Sequence, residues 1–298
     1  MGQGMVKNIV EKGNFTSPFL IYNRTSKKAE KFASETLEKG KDKVKVSTSI
    51  EDCVKESDYI FTCVGDDAAI RETIDTCLKS EAKGKLFVDC STVHPDTTNE
   101  LAKKVNDAGA EFVACPVFGA PPMAWNGQLV TVLAGPKKQV DKVKPFTEGV
   151  ISRANVDFSD QEHGAATRLK IVGNTFILNM VEILSEGYVL AEKSGLGIDN
   201  LHSFVETMFG MPYTAYSNRM KSGDYYQREA PAFAAKLAKK DYDHAKSLAK
   251  KAGVEMKAGD VAGKHLQDVI DYDGDHGDMA GIYGAVRQEA GLKFENQG

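Results

Sequence analysis

Short apolar and β-branched runs recur through the first half of the chain: Phe19–Tyr22, Lys43–Ser47, Tyr59–Val64, Leu86–Asp89, Phe112–Phe118 and Leu129–Leu133. Between them lie stretches rich in Ala, Glu and Lys, such as Ser26–Leu37 and Asp96–Ala108. Near-continuous apolar strands alternating with helices predict a parallel sheet covered on both faces, a doubly wound α/β domain over residues 1–160. Beyond Ser159 the strand pattern stops. Ala165–Ser194 has no proline, and Leu169, Val172, Phe176, Ile177, Met180, Ile183, Leu184 and Leu190 recur at helical spacing. A helix of that length, apolar on more than one side, is expected to run through the centre of a helical domain as an interdomain spine. Further helices are expected from Asp199, Ala232 and Ala258 and over Asp278–Glu289, so residues 161–298 read as all-α.

Length agrees with two domains, because 298 residues at about 150 per domain gives two. The 38 basic and 42 acidic residues leave a net charge of −4, which argues against a general nucleic-acid binder or a polybasic membrane protein. No apolar run approaches the ~20 residues of a membrane helix, and no signal-peptide pattern opens the chain. The five cysteines (Cys53, Cys63, Cys77, Cys90, Cys115) are odd in number and form no C-x-x-C pair, which suits free thiols in a reducing, cytoplasmic setting. A mitochondrial address would need a targeting segment upstream of Met1. No metal is expected: the six histidines show no i, i+4 pair. Asp271–Asp275 resembles a calcium loop but has His276 and Ile282 where glycine and glutamate are required.

Met1–Val10 reads as the start of a helix with no strand before it. Asn23-Arg24-Thr25 closes the first apolar run, about 20 residues after Gly2. In a dinucleotide-binding βαβ unit a glycine turn lets backbone N–H groups approach the pyrophosphate, and the end of the next strand reads the adenosine ribose. An acidic residue there suits the 2′-hydroxyl of NAD, whereas Arg24 suits the 2′-phosphate of NADP. An ordinary surface turn is the alternative for an isolated Asn-Arg pair.

Lys170 and Asn174 lie four residues apart, on one face of the expected long helix, with Gly173 keeping that face low. A lysine among apolar positions is costly without a partner or a wet cleft, though it can also snorkel to solvent. Ser91 and Thr92 follow the Leu86–Asp89 run, where open α/β sheets bind ligands, and they equally suit the N-cap of a helix starting near Pro95.

Met1-Gly-Gln-Gly-Met5, Asp89-Cys-Ser-Thr92 with Pro95, Cys115-Pro-Val-Phe-Gly119, Gly164–Asn174 and Lys240-Asp241 occur in the order found in β-hydroxyacid dehydrogenases. The chain resembles that family, which includes 3-hydroxyisobutyrate and 6-phosphogluconate dehydrogenases and short-chain glyoxylate or succinic semialdehyde reductases. The opening residues resemble the second half of the motif G-L-G-x-M-G-x-x-M, which implies that the first strand and first two glycines are absent here.

The resemblance implies a Rossmann-like NADP domain followed by a helical substrate and dimerisation domain, assembled as a homodimer or homotetramer. It implies Lys170 as catalytic acid/base. Ser91, Gly119 and Asn174 would bind a small carboxylate substrate. Gly2, Asn23, Arg24, Thr25, Val64, Gly65, Thr92 and Lys240 would contact NADP, with NAD the lesser expectation. The expected activity is hydride transfer between the nicotinamide and a small β-hydroxyacid or its aldehyde or keto-acid counterpart. One departure concerns the pocket: Phe118 stands where the family has serine, which makes it less polar. That substitution suits an imine reductase as the first alternative, although Lys170 argues against it. A non-catalytic scaffold is the second, prompted by the shortened phosphate loop.

Overall fold

The computed structural model describes residues 1–13, 15, 18–37 and 40–296. The chain separates into two compact units, Met1–Lys170 and Ile171–Gly298.

The first unit alternates helices and strands. It begins with α1 (Gly2–Lys12), β1 (Phe19–Ile21), α2 (Ser26–Lys31), β2 (Val44–Val46), α3 (Ile50–Lys55), β3 (Tyr59–Thr62) and α4 (Asp67–Cys77). It continues with β4 (Leu86–Asp89), α5 (Pro95–Asp107), β5 (Glu111–Ala114), β6 (Val117–Phe118), α6 (Pro121–Trp125), β7 (Leu129–Gly135), α7 (Lys137–Thr147) and β8 (Ser152–Ser159). The first turns of α8 (Gly164–Lys193) complete it.

Its strands form two sheets. β1 and β2 pair in parallel, in register from Phe19 opposite Val44 to Ile21 opposite Val46. A separate sheet runs β3-β4-β5-β7, with β6 and β8 also paired to β7. β3, β4 and β5 are parallel as the pattern predicts, and all four residues of β4 are buried. β7, however, runs antiparallel to β5 and β6. A run buried on both faces reads the same in either direction, so apolarity alone could not set its sense.

The expected Phe112–Phe118 strand breaks at Cys115-Pro116, where proline lacks a ladder donor. β8 escaped the sequence reading because its Arg153, Ala154 and Asp157 are exposed and leave no apolar run. The Ser26–Leu37 helix ends at Lys31 and widens into a π turn over Phe32–Thr36. Core residues lie on both faces of the larger sheet: Ile70, Leu101 and Val105 belong to one cluster, Val140, Val143 and Ile151 to another.

In the second unit, the rest of α8 is followed by α9 (Ile198–Phe209), α10 (Met211–Ser222), α11 (Asp224–Gln227), α12 (Ala235–Ala252), α13 (Lys257–Asp273) and α14 (Ile282–Glu289). α10 was not foreseen, since its Tyr213, Tyr216 and Met220 are diluted by polar positions. Met180, Leu184 and Tyr188 of α8 pack with Leu266, Val269 and Tyr283 in one core. The expectation that α8 runs through the centre of the helical domain needs one correction: it is not enclosed on every side. Val172, Phe176, Ile183 and Leu190 are 46, 72, 61 and 69% exposed, forming a stripe along one side. Composition reports that a helix is apolar on two faces, not that this chain covers both. Among the described residues no helix is long and apolar enough to cross a membrane.

Candidate active site

The two chain segments leaving β3 and β4 are drawn together by one carboxylate. Asp89, at the end of β4 and 2% exposed, accepts hydrogen bonds at Oδ1 from Thr62 Oγ1 (2.8 Å) and from the Ser91 amide (3.1 Å). Ser91 Oγ in turn accepts from the Val64 amide at 3.0 Å. Burial pushes the Asp89 carboxyl above its usual range against the opposing pull of these donors. Ser91 therefore ties the turn after β3, where Val64 and Gly65 lie, to the turn after β4. It does not cap α5. His94 does, its Nδ1 accepting from the Asp96 amide at 3.2 Å with Pro95 in the first turn. Thr92 sits half-buried between them.

Gly119 follows β6 with φ +134°, a conformation that favours glycine, and a Cβ there would come within 2.7 Å of Leu129 Cδ2. Beside it the Phe118 ring lies under the Lys170 ammonium, 4.4 Å from Nζ to the ring centroid. Lys170 is only 8% exposed. The start of α8, which carries it, is anchored to α5. Asn99 Oδ1 accepts from the Gly164 amide (2.7 Å), and the Thr98 and Thr167 hydroxyls lie 3.0 Å apart. A Cβ on Gly164 would meet the Pro95 carbonyl oxygen at 2.9 Å, so the close approach requires glycine. His163 bonds the Phe112 carbonyl through Nε2 at 2.9 Å, and burial lowers its pKa below 6.5.

A cleft of about 190 Å³ lies between β1 and β3, lined by Gly2 and Gln3 of α1, Tyr22 and Asn23 after β1, and Phe61 and Cys63. The start of α1 opens into it with backbone N–H groups that have no intrahelical acceptor. Nothing crowds Gly2; the nearest atom to a Cβ there is Cys63 Cβ at 3.9 Å. Asn23 Oδ1 is engaged by the Thr25 amide at 3.0 Å, while Arg24 is exposed beside the cleft-lining Asn23. Thr25 precedes α2 without a side-chain capping bond. A helix N-terminus, an uncrowded glycine and a cation at the strand end fit the phosphate-bearing half of a dinucleotide.

In the helical unit, Asn174 Nδ2 donates to Asp241 Oδ2 at 2.7 Å, and Lys240 Nζ lies 3.3 Å from Asp241 Oδ1. Asp241 is 5% exposed. Asp89 and Asp241 stand inside the motifs Asp89–Thr92 and Lys240-Asp241, which by themselves give neither acid a role. The signal was there, since each is an acid within an otherwise apolar or basic segment.

Comparison with known proteins agrees with this architecture. Residues 1–155 match the profile for the NAD-binding domain of 6-phosphogluconate dehydrogenase. Residues 164–286 match the profile for the NAD-binding region of NADP-dependent 3-hydroxyisobutyrate dehydrogenase. The chain is 35% identical over 295 residues to an NADH-dependent oxidoreductase, ucdB, of Aspergillus ustus, covering 99% of this chain and 98% of that one. Among solved structures, 3-hydroxyisobutyrate dehydrogenase from Salmonella typhimurium superposes with a TM-score of 0.80 at 16% identity, covering 95% of each chain. An imine reductase from Streptomyces aurantiacus superposes with a TM-score of 0.61 at 16% identity, covering 97% of this chain and 95% of that one.

The fold and its first domain define an NAD(P)-binding dehydrogenase. The chain belongs to the β-hydroxyacid dehydrogenase family, oxidoreductases that act on CH–OH groups.

Proposed function

We propose that the chain is an NADP(H)-dependent enzyme interconverting a small β-hydroxyacid and its aldehyde or keto-acid counterpart, with Lys170 as general acid and base. The observation that carries this reading is the Lys170 ammonium, 8% exposed and held over the Phe118 ring by the anchored start of α8. When bound, the nicotinamide supplies or takes the hydride. In reduction Lys170 Nζ stabilises the negative charge growing on the carbonyl oxygen and gives it a proton; in oxidation the amine takes that proton back. Ser91 and the Gly119 amide would bind the substrate carboxylate. Asn174, its amide held by donation from Nδ2 to Asp241 Oδ2, would contact the substrate.

Arg24 supports NADP as the cofactor, although the ucdB relative is named for NADH. Gly2, Asn23, Thr25, Val64, Gly65, Thr92 and Lys240 would contact it. Lys170→Met keeps the length of the side chain and removes the charge. It should lower kcat by about 10²–10⁴-fold while NADPH affinity, read by fluorescence titration, stays within threefold. Retention of a tenth of the activity would remove Lys170 from this role. Imine reduction that survives the substitution would instead favour the imine-reductase reading, which Phe118 supports.

The exposed stripe of Val172, Phe176, Ile183 and Leu190 supports assembly through the helical unit as a homodimer or homotetramer. Sedimentation should show Phe176→Asp as a smaller species than the parent, and a monomeric parent would refute the assembly.

A further inference from the structure

Two short arcs follow β3 and β4, and each is pinned to the other at both of its ends. The first runs from Val64 to Asp67, where α4 begins, and the second from Ser91 to His94, just before α5. At the inner end the Val64 amide donates to Ser91 Oγ at 3.0 Å, while Asp89 holds the Ser91 amide and the Thr62 hydroxyl. At the outer end Asp67 Oδ1 accepts from the His94 amide at 3.0 Å and from Thr97 Oγ1 at 2.6 Å. Thr97 Oγ1 also accepts from Arg71 Nη2 at 2.9 Å, so its own proton is committed to Asp67.

Asp67 is not needed to start either helix. Asp66 caps α4, its side chain accepting from the Ala69 amide at 2.8 Å, and His94 caps α5. Burial raises the Asp89 carboxyl above its usual range, and the nearby charge of Asp67 adds to the rise. The fold thus sets two like charges close together, a cost that capping does not require. The groups doing the pinning are mostly buried: Thr62, Asp89, Ser91 and Thr97 are each less than a tenth exposed. Between the pins, Gly65 is exposed and Thr92 half-buried. Cys63 and Cys90, immediately before the two arcs, line the cleft beside α1.

We propose that Asp67 and Asp89 are positioning residues for dinucleotide binding, Asp67 acting through His94 and Thr97, and Asp89 through Ser91; this rests on the reading that Gly65 and Thr92 contact the cofactor. Arcs ordered in advance leave less ordering to be done when a ligand arrives, which raises affinity without adding a contact. Charge alone predicts the opposite effect. A carboxylate beside an anionic ligand repels it, so on that basis removing Asp67 would tighten binding.

The test titrates NADPH and NADH into the full chain by fluorescence, with kcat and KM followed on a small semialdehyde. Asp67→Ala should weaken both dinucleotides at least fivefold and by the same factor, because neither arc contains Arg24. The KM for NADPH should rise while kcat stays within threefold, and the cofactor-free thermal midpoint should stay within a few degrees of the parent. Asp67→Asn keeps an oxygen acceptor for His94 and Thr97 and should restore affinity to within twofold. Ser91→Ala cuts the link to Val64 and should also weaken both dinucleotides. Asp89→Ala is less suitable, since it strands two buried donors and endangers folding. Unchanged or tighter binding in Asp67→Ala, or an asparagine variant as weak as the alanine one, overturns the proposal. A Ser91→Ala loss confined to the KM of the carbonyl substrate overturns it while leaving the proposed function standing. A parent that binds neither dinucleotide overturns both.

Discussion

Replacing Phe118 by leucine probes the proposed chemistry without touching the lysine itself. The Lys170 ammonium sits 4.4 Å from the Phe118 ring centroid and is 8% exposed, at the desolvated end of the range in which cation–π contacts contribute about 2 kcal/mol. The ring stabilises the ammonium and not the amine. At 1.36 kcal/mol per pH unit, losing it makes the proton easier to remove by roughly 1 to 1.5 pH units. In the reductive direction Lys170 acts as the acid, so activity falls as the ammonium deprotonates. The alkaline limb of kcat/KM should therefore move to lower pH by about one unit in Phe118→Leu, with the plateau rate retained within several-fold. Phe118→Tyr keeps a ring and should leave the limb in place. The assay follows NADPH oxidation with a small semialdehyde or keto acid across the alkaline range, with a melting curve to establish that each variant is folded. A limb that moves by less than about 0.3 units in the leucine variant, or equally in both, refutes the role assigned to the ring.

Arg24→Ala should weaken NADPH by about tenfold or more and NADH by less than twofold in a fluorescence titration, and equal losses would show that Arg24 does not read the 2′-phosphate. For stability against pH, burial keeps His163 neutral below its ordinary 6.5. Above 6.5 both folded and unfolded states are neutral at this position. Below it the unfolded chain gains a proton that the folded chain resists, so stability is lost as pH falls, by at most about 1.4 kcal/mol per pH unit. His163→Gln should flatten the fall in urea-unfolding free energy between pH 6.5 and 5, and an unchanged slope would exclude His163 as its source.

Local pattern was enough to find α8, observed over Gly164–Lys193 against an expected Ala165–Ser194, and β4, whose Leu86–Asp89 bounds agree. Both are long or wholly apolar, so their periodicity exceeds the noise of single positions. What stayed hidden depends on contacts distant in sequence. The antiparallel sense of β7 is set by its pairing partners, and β8 by its place beside β7, with its outward residues free to be polar. The positions of Lys170, Asn174, Ser91 and Gly119 could be marked from motifs. Their partners could not: the Phe118 ring is 52 residues from Lys170, and Asp241 is 67 residues from Asn174.

The division of the sheet has an energetic consequence. β1 and β2 have three residues each and, among the described residues, pair only with each other. Two strands alone are marginal in water, so this pair is held by the small cluster of Val10, Phe32 and Leu37. β1, α2 and β2 are thus expected to open as a local unit, their amides exchanging ahead of those of β4 and β5, which wait for global unfolding. Arg24 lies inside that unit. A ligand gripping it binds only the closed fraction, so its apparent affinity is reduced by that fraction and its binding appears as local protection against exchange. Substitutions that loosen Phe32 or Leu37 would then weaken such a ligand without touching it.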